Sequence, residues 1–420
     1  MHMFRNTPGV SQLPAELITL ILQELSYTDL LRCERVSKHY RKLIRGTSVL
    51  QYKIELAQSG MDDIPSNGLS TATKREILAR HTNATQTWPD HMVTKQTIPL
   101  LEGPLWELCG GVLAQSDGRR DLDFWQLPSA IRGITPRKWG VDVEFDIADF
   151  TVDPSQDLLV AMEVQSPTCF AHLLSLNTGK PHDGAAEKSL SFPLPPFDTP
   201  NRSYHIRVCG DFVGIIIRVY GLMSDEPHTV LGISNWKTGE TKLLTSFWGI
   251  RSFAFLDDRH AVILRGVPRV PSPDVPGQES ASNVVVSVID FRKAVPPNAM
   301  SEAPLCPCVT LNLPTVADRW EVWHAEVVCD PSPACPPPNG PVASGGSSVP
   351  PFRVTHTDRI VVIRINGVDT LFEQAHPRSK CLQLPRPRLL RCLWDRRFLK
   401  SAGRRGANNL NAFSGYQLLL

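Results

Sequence analysis

The chain has no strong charge of either sign. Its 44 basic and 42 acidic residues leave a net +2, which argues against a partner that engages the whole surface electrostatically. It has no long hydrophobic run. The longest, Phe212 to Ile217, falls far short of the roughly 20 residues that span a bilayer. The first ten residues lack the apolar stretch of a secretory leader. Several spacings that carry common chemistries are missing: a glycine-rich phosphate loop, HExxH, a Gly-x-Ser-x-Gly elbow and a CxxC pair. The ten cysteines are scattered and, without a leader, read as reduced thiols of the cytoplasm or nucleus. The nearest thing to a metal set is Cys306 and Cys308 with Cys329 and Cys335, but one intervening residue is a poor spacing for zinc. No metal and no cofactor is expected.

What is present starts with a helical pattern from Ser11 to Arg45. Pro14 stands where a helix begins, since its fixed φ suits the first turn and its missing N–H is not needed there. Behind it Leu13, Leu17, Ile18, Ile21, Leu22 and Leu25 recur at steps of three and four, which places them on one broad face. The pattern breaks at Ser26-Tyr27. Thr28 is placed to cap a second helix carrying Leu30, Leu31, Cys33 and Val36, and Ser37 to cap a third carrying Tyr40, Leu43 and Ile44. So short a bundle cannot bury all of this apolar surface within itself. The helical pattern continues from Ser48 to Ser59, ends at Gly60, loops over Asp62–Gly68 and resumes from Ser70 or Thr71 to Arg80.

From about residue 98 the period changes to short β-branched runs between Asp, Gly, Asn and Pro turns, an all-β signature. A loose repeat marks these runs. Strand–turn–strand units fall at Cys109–Val112, at Asp157, at Asp211, at Asp258 and at Asp358. A second echo pairs Leu174–Lys180 with Ile233–Glu240, each ending in a Thr-Gly turn where glycine admits positive φ. A period of roughly 50 residues with several strands per unit is the spacing of a propeller. About six units fit, the wide last step being read as spanning a degenerate unit near Val309–Val328. Stretches 266–282 and 330–351 are rich in proline, serine and glycine and read as mobile loops. Residues 386–405 hold eight Lys or Arg against one acid, Asp395. No closing strand is recognisable there, so either an earlier segment closes the ring or the last unit is incomplete and the tail hangs loose.

The N-terminal stretch resembles the F-box. The matching residues are Leu13-Pro14, Glu16, Leu17, Ile21-Leu22, Leu25, Asp29-Leu30-Leu31, Cys33 and Val36-Ser37-Lys38, with Tyr40 where that family usually has tryptophan, and Leu43-Ile44 at the end. The β half resembles that of fungal F-box proteins with a degenerate propeller-like C-terminal half. The residues that carry this are Leu127-Pro128-Ser129, Arg132-Gly133, Trp139, the blocks Asp149–Leu159 and Cys209–Gly214, and Phe253–His260. Together they imply an α+β multidomain chain. Residues 1–10 form a disordered start, 11–46 a three-helix F-box and 47–97 a helical linker. Residues 98–385 form a propeller-like, substrate-binding domain, and 386–420 a basic, disordered tail. The resemblance implies a substrate-recognition subunit of a Skp–cullin–F-box ubiquitin ligase. It would meet the Skp adaptor through Leu13, Pro14, Leu17, Ile18, Ile21, Leu22, Leu25, Leu30 and Leu31, and hold an unidentified protein target on its β domain. The cullin would be reached through the adaptor, with no catalytic residues of the chain's own. The alternatives are an F-box scaffold acting outside a ligase and a propeller enzyme with its site on the axis. Asp157, Asp211 and Asp258 would suggest a carboxylate cluster for the latter, although turn formation explains each alone. His260 and His356 read as plain turn positions. Trp394 and Phe398 in the basic tail could stack on bases, but a solvated tail is the simpler account, and neither nucleic acid nor membrane is an expected partner.

Overall fold

The computed structural model describes residues 13–64, 68–87, 98, 105–129, 134–194, 201–221, 227–268, 282–293, 307–313, 320–330, 351–355, 360–369, 389–391 and 416–419. The N-terminal decapeptide, Trp88, His356, Asp358, Cys306, Cys335, Trp394 and Phe398 lie outside them. The chain divides into two compact units. The first comprises 1–99, 127–136 and 344–355, and the second the remainder.

The first unit opens with α1 (Ala15–Glu24), α2 (Tyr27–Val36), α3 (Lys38–Gly46) and α4 (Ser48–Gln58), followed by a short strand β1 (Met61–Asp63) and α5 (Thr71–Thr87). Pro14 precedes the first turn of α1 as its composition requires. The second helix is capped by Ser26, whose Oγ accepts the Asp29 N–H at 3.2 Å, and not by Thr28. The Thr28 hydroxyl instead shares a 2.8 Å hydrogen bond with Ser26, because the helix begins two residues earlier than the Thr28 assignment requires. Ser37 caps α3 through the Tyr40 N–H at 3.2 Å, as expected. Ile18, Leu22, Leu30, Ile44, Leu50 and Ile54 form one core, so α4 supplies two of its members. The far side of α4, with Tyr52 and Leu56, forms a second core with Leu78 of α5 and Phe352.

Phe352 belongs to a strand at Phe352–Val354 (β19 in chain order) that pairs antiparallel with β1. Sequence reading differs here at three points. It takes 61–63, within the helical linker, as the edge of a loop, whereas these residues form a strand. It takes 352–355 and 127–136 as parts of the β domain, whereas the structure assigns both segments to the helical unit. No local pattern marks so short a strand at the end of a proline-rich stretch, because its partner β1 lies near the other end of the chain.

The second unit is built from antiparallel meanders. In chain order they are β2 (Leu105–Cys109), β3 (Val112–Ser116), β4 (Asp121–Gln126) and β5 (Arg137–Asp142); then β6 (Asp149–Asp153), β7 (Leu158–Gln165), β8 (Thr168–Ser175) and β9 (Ser189–Pro193). Next come β10 (Arg202–Cys209), β11 (Phe212–Val219), β12 (His228–Asn235) and β13 (Thr241–Trp248), and β14 (Ile250–Phe255), β15 (His260–Pro268), β16 (Ser282–Asp290) and β17 (Val309–Asn312). The fifth sheet joins β18 (Trp320–Asp330), β20 (Ile360–Asp369), β21 (Leu389–Arg391) and β22 (Tyr416–Leu419) in the order β18-β20-β22-β21. Its β21–β22 pair is parallel. Two strands thus lie within 386–420, where the sequence shows no strand period.

Among the described residues there are five four-stranded sheets in this unit, not six. The wide last step of the repeat has a different cause from the one inferred. Asp358 precedes the second strand of the fifth sheet. The extra distance is made by stretches 269–281 and 291–308 within the fourth sheet and 331–359 within the fifth. The other repeat marks share one structural position, the turn between the first and second strands of a sheet. Gly110-Gly111, Asp157, Gly210-Asp211 and Asp257–Arg259 all sit there. The Thr-Gly echoes both follow third strands, with Gly179 at φ +68° and Gly239 at φ +75°. At each, the glycine N–H closes onto a carbonyl four residues back, Ser175 and Asn235 respectively, at 2.8 Å.

Each sheet packs on the next through a separate core. Phe124 and Val112 meet Phe150 and Leu159. Val160 and Phe192 meet Ile215 and Trp236. Ile216 and Ile233 meet Phe253 and Phe291. Val262 and Val286 meet Ala325 and Ile363. Strand β11 lies between two such cores, which explains why Phe212 to Ile217 reads as an unbroken apolar run rather than an alternation. The first strands of consecutive sheets are neighbours: β2 beside β6, β6 beside β10, β10 beside β14, and β14 beside β18.

Candidate docking surface

The apolar positions of α1 divide into two sets. Ile18 and Leu22, four residues apart, point inward and are 1% and 3% exposed. Leu17 and Ile21, also four apart, point outward and are 47% and 48% exposed. Leu20, at 57%, lies three residues after Leu17, a spacing that makes helix neighbours. Pro14, ahead of the first turn, is exposed as well, and Leu13 and Leu25 are half-buried. Leucine and isoleucine rarely stand exposed in adjacent turns without a partner. Val36, at the end of α2, is also exposed, as is Val49 on α4.

The nine residues read from the sequence as adaptor-binding therefore separate. Pro14, Leu17 and Ile21 are on the surface; Leu13, Leu25 and Leu31 are intermediate; Ile18, Leu22 and Leu30 are core. The last three are buried because α4 packs over them with Leu50 and Ile54, a helix that sequence reading treats as a linker. Leu20 is missing from the expected set, although its three-residue step from Leu17 would have found it.

The outward face is bordered by charge. Glu16 and Glu24 are exposed on α1. Asp29 pairs with Arg32 at 2.7 Å, and hydrogen bonds from Ser26 and Arg32 hold its carboxyl below the ordinary aspartate value. Behind the face, α4 is tied to α1 by Lys53 donating to the Gln23 carbonyl, and to α5 by Glu55 accepting from Arg75. The surface can offer apolar contact ringed by polar groups, the anatomy of a protein–protein anchor.

The β unit does not bring the three repeat aspartates together. Each is bound within its own sheet. Asp157 accepts from the Ser175 hydroxyl at 2.6 Å and the Asn177 N–H at 2.9 Å. Asp211 pairs with Lys237 at 2.7 Å and Asp258 with Arg292 at 2.6 Å. His260 faces Asp257 at 3.0 Å. Ionisable groups that sequence reading did not single out do occur on the first strands. Glu107 of β2 accepts from the Thr151 hydroxyl at 3.1 Å and the Val152 N–H at 3.2 Å on β6. Burial raises the Glu107 carboxyl above its ordinary value. Burial, reinforced by Glu107, pushes Asp149 up to about 7. On β10, burial together with Arg207 and Arg218 pushes His205 down to about 3. Among the described residues no three His, Cys, Asp or Glu side chains are grouped to hold a metal. Cys308 is exposed and Cys329 buried. No described helix is long and apolar enough to cross a membrane.

The sequence profile of F-box-like domains matches residues 10–54. No curated protein matches the chain. Among solved structures it is similar to an uncharacterized protein from Listeria monocytogenes EGD-e. That pair is 10% identical over 48% of this chain and 54% of the other, with a TM-score of 0.26. It is similar also to the hydrazine synthase of Kuenenia stuttgartiensis, at 12% identity over 47% and 65% of the two chains and a TM-score of 0.25. A third is a thermostable family-43 glycoside hydrolase, at 11% identity over 65% and 87% and a TM-score of 0.25. The chain spans about half the length of the first of these and just under two thirds of the second.

Proposed function

We propose that this chain, which carries an F-box-like domain over residues 10–54, is a substrate receptor of a Skp–cullin–F-box ubiquitin ligase. The observation that carries the reading is the outward apolar set Pro14, Leu17, Leu20 and Ile21 on the helix of that domain. It is displayed on a bundle whose core is already complete without it. An adaptor of the Skp type would cover this set, and the adaptor would bring a cullin. The β unit would act as a propeller that holds a target protein. Support for that arrangement comes from the adjacency of successive first strands and from the separate core between each pair of sheets. Binding loops in such a scaffold vary freely, so the target is set by surface rather than by fold. The receptor would contribute by holding the target near the conjugating enzyme, raising effective concentration rather than breaking bonds. The place of work would be the cytoplasm or nucleus.

The test is capture of purified Skp adaptor by the full chain. Leu17→Asp with Ile21→Asp should weaken capture by on the order of 100-fold or more. Each change removes roughly 1.5–3 kcal/mol of apolar burial and places a charge in the interface. Leu22→Asp should instead unfold the bundle, which circular dichroism would register. Adaptor capture unaffected by the Leu17 and Ile21 changes, in a folded protein, would sink the proposal. Recovery of a cullin in the same capture separates a ligase subunit from a scaffold bound to the adaptor alone.

A further inference from the structure

The connection between the first and second strands is short in four of the five sheets. It is two residues in the first (110–111) and third (210–211) and four in the second (154–157) and fourth (256–259). In the fifth it runs all the way from 331 to 359. A hairpin needs only a few residues. The remainder carries Pro351–Thr355 into the helical unit, where it lies as a short paired strand. Its backbone pairs with β1 in the register Met61↔Val354, Asp62↔Arg353, Asp63↔Phe352. Two further bonds extend the ladder: the Ile64 N–H donates to the Pro351 carbonyl at 3.2 Å, and the Thr355 N–H to the Gly60 carbonyl at 2.8 Å.

One side chain then fills one pocket. Phe352 is fully buried against Tyr52, Leu56 and Leu78, with the His81 ring edge-on at 5.5 Å. The receiving strand is itself fixed, because Asp63 accepts from the Tyr52 hydroxyl at 2.9 Å and from the buried Lys74 ammonium at 2.8 Å. Added backbone pairing gives affinity and a pocket for an alternate side chain gives selectivity; this is strand addition to an exposed edge.

We propose that α4, α5 and β1 form a groove for an extended peptide with an aromatic residue at the start of its paired segment. Its resident ligand is this chain's own Pro351–Thr355, so the docking unit is completed by a strand delivered from the β region. Helix α4 transmits the effect. Tyr52 and Leu56 face Phe352, while Leu50 and Ile54 face Ile18 and Leu22 behind the exposed set of α1. Phe352 is thus a positioning residue for that surface, a role that rests on the reading given under Proposed function. The groove itself does not.

The experiment uses the full chain and a labelled synthetic peptide of residues 348–358. Wild-type protein should exclude the peptide, since the groove is filled. Phe352→Ala should bind it, with at least tenfold preference over a peptide carrying alanine at the same place. Hydrogen exchange at the Ile64 amide should quicken at least tenfold in the variant and slow again when the peptide is added. Adaptor capture should weaken about tenfold and recover likewise. Should Phe352→Ala fail to fold, Phe352→Leu keeps most of the apolar volume and should still loosen Ile64 and admit the phenylalanine peptide. Wild-type exchange at Ile64 in either folded variant, or no peptide binding to both, would overturn the groove. Absence of adaptor capture by the wild type would instead count against the ligase reading and leave the exchange and peptide results to decide the groove.

Discussion

Replacing Gly232 by valine should unfold the β unit, or cost it about 3 kcal/mol or more, in a thermal or urea melt of the full chain. The cause is a lack of space. Gly232 sits mid-strand in β12, opposite Ile215, with ordinary extended backbone. A Cβ there would lie 2.4 Å from the Phe192 ring. Phe192 is fully buried in the core shared by the second and third sheets, so it cannot swing out. Gly214 on β11 is the counterpart on the other face of the same sheet. A Cβ at that point would lie 2.6 Å from the Phe253 ring. Two neighbouring sheets each press a phenylalanine into a notch left by a missing side chain. Overfilling a packed core costs about 1–3 kcal/mol for small additions and more when the clash is with a rigid ring. Gly232→Ala should therefore be milder than Gly232→Val, and pairing Gly232→Ala with Phe192→Leu should restore part of the loss, a coupling that a double-mutant cycle would measure. A Gly232→Val protein that melts with the wild type would refute the packing account.

Stability should be nearly independent of pH between about 4 and 6.5 as far as Asp149 and His205 are concerned, and each single replacement should reveal a slope of opposite sign. The folded chain keeps a proton on Asp149, raised to about 7 chiefly by burial, that the unfolded chain has already lost. It refuses a proton on His205, lowered to about 3 chiefly by burial, that the unfolded chain holds. In that window both states carry one proton between the two groups, so the linkage slope cancels. Asp149→Asn leaves the histidine alone. The unfolded state then binds more protons, and stability should climb as pH rises from about 3 to 6.5. His205→Gln leaves the aspartate, and stability should decline from about pH 4 to 7. Each slope is worth roughly 1–3 kcal/mol across its window, taking about 1.4 kcal/mol per pH unit and allowing for the partial exposure of both side chains. Urea melts at pH 4.5, 5.5 and 6.5 would decide it; parallel slopes in the two variants would contradict the assignment.

Much of this structure is legible from local chemistry. The change from helical to strand period, the Ser37 cap and the Thr-Gly turns each depend on residues within one turn of one another. Four of the five Asp and Gly marks share a physical basis, because each sits at the turn between the first and second strands of a different sheet. Among the described residues the unit count comes to five rather than six for a reason that spacing cannot reveal: a long insertion and an extra module lengthen the interval alike. The split of α1 is similarly hidden. Periodicity places Leu17, Ile18, Ile21 and Leu22 on one broad face, but which half turns inward is decided by Leu50 and Ile54 of α4. Glu107, Asp149 and His205 escaped notice because their character comes from burial, and a carboxylate in a strand pattern carries no sign of it.

The late strand also has a consequence for how the protein is made. Helix α5 ends at Thr87, and Phe352 is reached only after almost all of the sheets have been synthesised. At a ribosomal pace of ~5–20 residues per second, the first five helices emerge on the order of 10–50 s before their last strand does. Throughout that interval the nascent chain shows an oily cleft lined by Tyr52, Leu56 and Leu78, a ready hold for a chaperone. A message cut short anywhere before codon 352 would yield helices that never close.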